Sequence, residues 1–218
     1  TGMPQHGEAA YFKTSLGFVD HVWEVFGALS AGVPLVVASA EAKTDPEQMM
    51  REMRRHGVSR VVLVPSLLRA FLALATPDTL HSRLPSVKTW TTSGEGLPKE
   101  LARTFLESAG PDVALLNTYG STEVAGDVAC AHLQGPTAII PSLQDNDDSK
   151  GPLVSIGKPI ANTGIHIVDP DSGQLRLPGQ VGEIYVSGKT LAVSYLHDPS
   201  RTADAFLRRE TLHPSVAE

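Results

Sequence analysis

With a single cysteine, Cys130, the chain cannot close an internal disulfide, which fits a reducing compartment. A lone cysteine in such a context reads as a small core residue rather than a nucleophile. Positive charge is also in short supply. Lys and Arg number 18 against 24 Asp and Glu, a net charge of -6, so no basic field invites nucleic acid or an anionic membrane. An anionic ligand must be held locally, by backbone amides, a metal ion or a few placed side chains. No apolar run reaches the length of a membrane span, and the first residues lack the charged-then-apolar order of a signal peptide. A soluble, cytoplasmic protein is the expectation. Internal repeats and heptads are absent too.

What is present is ordinary globular material, 41% hydrophobic and 19% charged over 218 residues, enough for one large domain or two small ones. The first two-thirds alternate short β-rich runs with helical patterns, which predicts an α/β fold with an open, layered sheet. Strands are expected at Tyr11–Thr14, at Leu35–Val37 as a buried strand, and at Arg60–Val64, Val87–Thr92 and Ala114–Asn117. Helices are expected at His21–Ala31, capped by Asp20 and ended by Gly32, from Asp45-Pro46 to Gly57, from Ser66 to Leu74, and from Pro98 to about Gly110. After about Gln134 proline and glycine become more frequent. The stretch 144–150, with Asp145, Asp147 and Asp148, reads as a solvated loop, since three acids so close repel one another unless a cation sits between them. A strand from Gly164, a turn at Asp171-Ser172-Gly173, a strand at Glu183–Ser187 and a short helix from Pro199 complete the pattern. The division expected is an α/β unit over 1–135 and a β-rich unit over 136–218.

Two of the predicted strands, Val87–Thr92 and Ala114–Asn117, run into polar, glycine-containing stretches, the place where open α/β sheets bind ligands. The stretch after the second is Asn117-Thr118-Tyr119-Gly120-Ser121-Thr122-Glu123. It packs an amide, an aromatic ring, a glycine, hydroxyls and a carboxylate into one expected loop, the parts needed to read a base, hold a phosphate and bind magnesium. By composition alone it could equally be a turn with a packed tyrosine.

The string itself resembles the Asn-x-Tyr-Gly-x-Thr-Glu motif of the acyl-adenylate-forming superfamily, which includes acyl-CoA synthetases, luciferases and the adenylation domains of nonribosomal peptide synthetases. Three further stretches resemble family motifs in the family's order: Thr92-Ser93-Gly94-Glu95-Gly96-Leu97-Pro98, Ile156-Gly157-Lys158-Pro159 through Thr163, and Gly182-Glu183-Ile184-Tyr185-Val186-Ser187-Gly188. Tyr195-Leu196 through Phe206 resembles the segment that follows, with Ser194 in place of the usual glycine.

The resemblance implies that Asn117 and the backbone at Gly94 and Glu95 meet an adenine edge while Tyr119, followed by Gly120, stacks on its ring. Thr122 would contact the α-phosphate and Glu123 would hold magnesium, these two being the candidate catalytic residues. ATP and Mg2+ are the implied cofactors, a small carboxylic acid the substrate, and the phosphopantetheine of a carrier protein or coenzyme A the acceptor thiol.

Phe18-Val19-Asp20-His21-Val22-Trp23-Glu24 resembles the acyl-pocket helix of amino-acid-activating members, whose aspartate binds the substrate's α-ammonium. Here Val19 takes that aspartate's place and Asp20 follows one residue later. The shift turns the side chain by about 100 degrees, which leaves Asp20 either to meet an ammonium further from the carboxylate or to cap the helix. The same mapping places Trp23, Thr91, Ser93, Thr118, Gly126 and Asp127 at the pocket wall. Two carboxylates in one apolar cleft favour a cationic substrate group, so a β-amino acid such as β-alanine is a reasonable substrate. A fatty acyl-CoA ligase fits less well, because its chain would leave both acids unpaired.

Parts of the family pattern are missing. Thr1-Gly2-Met3-Pro4 lies too close to Phe18, and has Gln5 where a lysine belongs, to be the phosphate loop. The Tyr-x-Thr-Gly-Asp motif that anchors ribose and the domain carrying the catalytic lysine are not found. The chain, which opens at Thr1 without methionine, is therefore expected to be the central piece of a longer enzyme, inactive alone. The competing expectation is a truncated, non-catalytic homologue acting as a binding module.

Overall fold

The computed structural model describes residues 7–75, 78–135, 143 and 151–207. The rejected phosphate-loop match at 1–4 and the acidic stretch at 144–150 lie outside these residues. In chain order the elements are β1 (Ala10–Phe12), α1 (Asp20–Ala31), β2 (Leu35–Val37), α2 (Ala40–Thr44), α3 (Pro46–Arg55), β3 (Arg60–Leu63), α4 (Pro65–Ala75), α5 (Leu80–Arg83), β4 (Thr89–Thr92) and α6 (Lys99–Ala109). They continue with β5 (Ala114–Ser121), β6 (Gly126–Gln134), β7 (Lys158–Pro159), β8 (Thr163–Val168), β9 (Glu183–Gly188) and α7 (Pro199–Ala205). No helix among the described residues is long and apolar enough to cross a membrane.

Seven strands form one sheet in the order β2-β1-β3-β4-β5-β6-β7. The first five run parallel, and β6 and β7 add antiparallel at one edge. The layered α/β fold expected from the alternating pattern is the fold observed. β8 and β9 pair antiparallel in a separate two-stranded sheet. Because side chains alternate along a strand, Val61, Leu63 and Trp90 join the core of Met50, Met53, Leu68, Phe71 and Phe105 from α3, α4 and α6. Val62 and Thr91 line a small cavity beside α1, which Val61 also borders. Trp90 sits edge-on to both Phe71 and Phe105, with centroids 6.1 and 5.3 Å away, an arrangement that aligns ring edges with ring faces.

Several helix ends follow local chemistry. Asp45 accepts from the Glu47 amide at 2.9 Å with Pro46 at the first helical position, and Gly32 ends α1 in the left-handed region at φ 66°. Some expectations need correction. Asp20 does not cap α1. Val19 occupies that position in helical geometry without a side-chain cap, and the Phe18 and Val19 carbonyls already accept from His21 and Val22. β2 is not buried, because it lies at the sheet edge and leaves Val37 62% exposed. Finally, α2, α5, β6 and β7 were not foreseen; Ser39 opens α2 by accepting from the Ala42 amide at 3.1 Å.

Phe105 is fully buried and supports Trp90, so Phe105→Ala is expected to cost about 3–5 kcal/mol. Urea unfolding followed by Trp fluorescence measures this; a loss below about 1 kcal/mol would show that the α6 face of the core tolerates a cavity.

Candidate functional site

The strand that ends the parallel set does not stop where its apolar run stops. β5 continues through Ser121 because β6 returns alongside it, with Thr118 opposite Cys130, Tyr119 opposite Ala129, and a register shift between Tyr119 and Gly120. The stretch expected to be a loop is thus one arm of a hairpin. Only Thr122–Val124 forms its 3-10 turn. Ala125 at φ 57° and Gly126 at φ 108° reverse the chain. Cys130 lies half-buried within β6, and burial pushes its thiol pKa up, which fits a packing residue.

On one side of this hairpin the structure gathers acids. Asp20 Oδ1 accepts from Trp23 Nε1 at 3.2 Å and lies 3.4 Å from Ser93 Oγ. The same Ser93 Oγ lies 3.2 Å from Asp127 Oδ1. A serine hydroxyl has one proton to give. Both contacts are hydrogen bonds at once only if one of the two carboxyls is protonated and donates to Ser93; otherwise one acid lacks that donor and its charge suits a cation. Burial above all, then the nearby Asp20 charge, pushes Asp127 up to about 6, against the pull of hydrogen bonds from Thr118 and Ser93. Thr118 reaches the Thr92 carbonyl at 3.1 Å. Gly126 faces Val19, whose methyls lie 3.7 Å from the point a Cβ would occupy. Trp23 and Thr91, together with Val62, Gly27 and Ala28, line a cavity of about 60 Å³. Asp20, Trp23, Thr91, Ser93, Thr118, Gly126 and Asp127 therefore stand in one neighbourhood.

Sequence reading missed two residues here. Glu24 is 3% exposed and accepts from the Thr14 amide at 3.0 Å and hydroxyl at 2.9 Å. Burial raises its pKa, opposed chiefly by the Lys13 charge. Burial in turn lowers Lys13, against the attraction of Glu24 and Asp20. The available signal was positional, since Lys13 and Thr14 follow the carboxyl end of β1.

The nucleotide candidates divide. Tyr119, 37% exposed, shares a cavity of about 450 Å³ with Gly120, Glu123, His166, Tyr185 and Phe206. Gly94, Glu95, Asn117 and Thr122 do not line it. Asn117 is 4% exposed; its amide donates to the Ser155 carbonyl at 3.1 Å and its Oδ1 accepts from Thr92 Oγ1 at 3.3 Å. One amide hydrogen remains for another acceptor. Gly94 holds the turn after β4 at φ 81°. The Glu95 carboxylate caps the start of α4, accepting from the Ser66 amide at 3.1 Å and hydroxyl at 2.9 Å, where the positive end of the helix favours an anion. Thr122 is exposed at the turn.

Glu123 Oε1 accepts from the Tyr195 hydroxyl at 2.5 Å. Hydrogen bonds from Tyr195, Ser121 and its own backbone hold the carboxyl at about 2, so it is ionised at neutral pH. Among the described residues no group of three or more His, Cys, Asp or Glu is placed to hold a metal. A magnesium ion carried on substrate phosphates requires only one or two protein carboxylates. One ionised Glu123 fits that demand. Ser194, despite replacing a glycine, keeps a negative φ; the left-handed residue of that turn is His197.

Asp127 supplies a test of the acid cluster. Its folded pKa near 6 exceeds the unfolded value of 3.8, so the native state binds the proton more tightly and wild-type stability falls as pH rises between those values. Asp127→Asn is expected to be more stable than wild type above pH 6 and to lose that advantage below about pH 4. Thermal melts from pH 3.5 to 7.5 check this; parallel curves for the two proteins would refute it.

Comparison with known proteins gives this geometry its context. The AMP-binding enzyme family model matches residues 4–196. The chain is 35% identical over 196 residues to a β-alanyl-bioamine nonribosomal peptide synthetase, ebony, of Drosophila melanogaster, covering 87% of this chain and 21% of that protein. It is 36% identical over 195 residues to enterobactin synthase component F of Escherichia coli, covering 89% and 14%. The chain thus spans about a fifth or less of these relatives. Among solved structures, the nonribosomal peptide synthetase FmoA3 with α-methyl-L-serine-AMP bound matches with a TM-score of 0.79 at 26% identity, over 93% of this chain and 22% of that one. The N-terminal subdomain of NpsA from Klebsiella oxytoca, at 20% identity and a TM-score of 0.75, shares the fold over 94% of this chain and 47% of its own. A matched family model over most of its length places the chain in the AMP-binding enzyme family.

Proposed function

We propose that these residues are the central part of an ATP-dependent adenylating enzyme that activates an amino acid, specifically a β-amino acid, as an acyl adenylate for transfer to a thiol. The observation that carries this reading is the single Ser93 hydroxyl shared by the Asp20 and Asp127 carboxylates. Two acids converging on one donor favour a cation between them, because neither is fully satisfied by the protein. An ammonium supplies that cation. A fatty chain supplies none. The displacement of the first acid from Val19 to Asp20 favours an ammonium set further from the carboxylate than in an α-amino acid, and one of the relatives is named for β-alanyl chemistry.

In this reading Asp20 and Asp127 hold the substrate ammonium while Trp23, Thr91, Thr118 and Gly126 bound a short pocket. A substrate carboxylate oxygen attacks the α-phosphorus of ATP, the bond to the β,γ-pyrophosphate breaks, and pyrophosphate leaves. Tyr119 supports the purine ring, with Gly120, Asn117 and the Gly94 and Glu95 backbone around it, and the Thr122 hydroxyl donates to the α-phosphate. Glu123 would hold magnesium. When bound, that ion offsets the repulsion between carboxylate and phosphate as charge gathers on the phosphate oxygens. The acceptor is the phosphopantetheine of a carrier protein or coenzyme A. The division into an α/β unit over 1–135 and a β-rich unit over 136–218, and a cytoplasmic location, are part of the same proposal.

Pyrophosphate exchange by the full-length parent protein, with α-amino, β-amino and fatty acids offered separately, tests this. The expected result is exchange dependent on a β-amino acid, reduced about 100-fold or more by Glu123→Ala. Asp127→Asn is expected to raise the KM for the amino acid about tenfold or more, with KM for ATP little changed. Exchange only with a fatty acid would overturn the substrate assignment. No exchange with any acid would identify a binding module instead.

A further inference from the structure

The C-terminal segment of the described chain reaches back to the hairpin tip and clasps Glu123 at two points. The Ala192 amide donates to the Glu123 carbonyl at 2.8 Å, and the Tyr195 hydroxyl donates to Glu123 Oε1. These contacts span about 70 residues of sequence, and nothing in the local pattern of the hairpin calls for them. Tyr195 is itself constrained on several sides. Its amide donates to Thr202 Oγ1 at 3.0 Å, and that hydroxyl donates to the Asp198 carbonyl at 2.7 Å. Asp198 caps α7 through the Arg201 amide at 3.0 Å. The Tyr195 ring contacts both the Arg201 guanidinium, 4.7 Å from its centroid, and the Phe206 ring, set edge-on at 5.7 Å.

We infer that Tyr195 is a positioning residue, fixing the Glu123 carboxylate in a single orientation so that its remaining lone pair is presented to a divalent cation in the 450 Å³ cavity that both residues line. This rests on the role of Glu123 proposed above. A glutamate has three rotatable bonds, and at the half-buried turn it would otherwise sample several orientations. A phenol already held by two neighbours removes that freedom before the cation arrives. Carboxylates that bind metals are held by such outer partners, whose removal weakens binding about tenfold or more. A carboxylate offers about four lone-pair sites, so the donors from Tyr195, Ser121 and the Glu123 backbone leave room for a cation.

The test is Tyr195→Phe in the full-length parent protein, with Mn2+ as the probe. Free Mn2+ is counted by electron paramagnetic resonance during titration of the protein with ATP present. Phenylalanine keeps the ring contacts with Arg201 and Phe206 and removes only the hydroxyl. The expected result is an Mn2+ dissociation constant raised about tenfold with an unchanged melting temperature. An unchanged dissociation constant in the folded variant overturns the inference. Thr202→Val, which loosens the Tyr195 backbone and keeps the phenol, is expected to weaken Mn2+ binding to a smaller degree, and carries the test should Tyr195→Phe not fold; unaltered binding there counts against the inference. Glu123→Gln separates the two levels. If it loses Mn2+ while Tyr195→Phe does not, the role of Glu123 stands and that of Tyr195 falls; if Glu123→Gln binds Mn2+ normally, both fall.

Discussion

Where β5 and β6 meet at the hairpin tip, a Cβ built on Gly120 would stand 1.8 Å from the Gly126 carbonyl oxygen and 2.6 Å from the Asp127 Cα. No side chain fits, and no flexible neighbour can yield, because the obstruction is backbone. This close approach lets the two strands pair through the register shift that follows Tyr119. On it depends the placing of Thr118, Tyr119, Glu123 and Asp127 relative to one another, since all four belong to the hairpin. A similar demand recurs at Gly157, where a Cβ would meet the Cys130 carbonyl oxygen at 2.0 Å. There a glycine lets the chain enter β7 against β6.

The hairpin separates two electrostatic environments. On one side Asp127 and Asp20 share a hydroxyl that cannot serve both fully, and Asp127 rises to about 6. On the other, Glu123 is amply supplied with donors and falls to about 2. Burial without a counter-charge raises an acid, and hydrogen bonds to its charged form lower it. Two acids four residues apart in sequence thus end with opposite character. The first is suited to a ligand that brings positive charge, the second to a cation that accepts a carboxylate already ionised and oriented.

Much of the scaffold was legible in the sequence because its causes are local. Asp45-Pro46 starts α3, Gly32 ends α1, and the β-branched run at Arg60 forms a fully buried strand. The misreadings came from contacts made at a distance. Asp20 has the chemistry of a cap, yet the Phe18 and Val19 carbonyls already serve the first amides, and Ser93 and Trp23 claim its carboxylate. The capping of α4 by the Glu95 side chain, from 29 residues away, was not foreseen either. The stretch from Asn117 to Ser121 has loop composition and becomes strand once β6 lies beside it.

By itself the sequence determined the alternation of most strands and helices, several of their ends, and the family string from Asn117 to Glu123. These follow from short-range sterics, capping and residue type, which are written within a few positions of chain. The family mapping set Asp20, Ser93 and Asp127 at one pocket wall, but only the tertiary structure decided that a single Ser93 hydroxyl faces both acids, and that Tyr195 holds Glu123 from 72 residues away. Such pairings depend on the sheet order and the hairpin register bringing distant side chains within hydrogen-bond reach, and no local pattern encodes that distance.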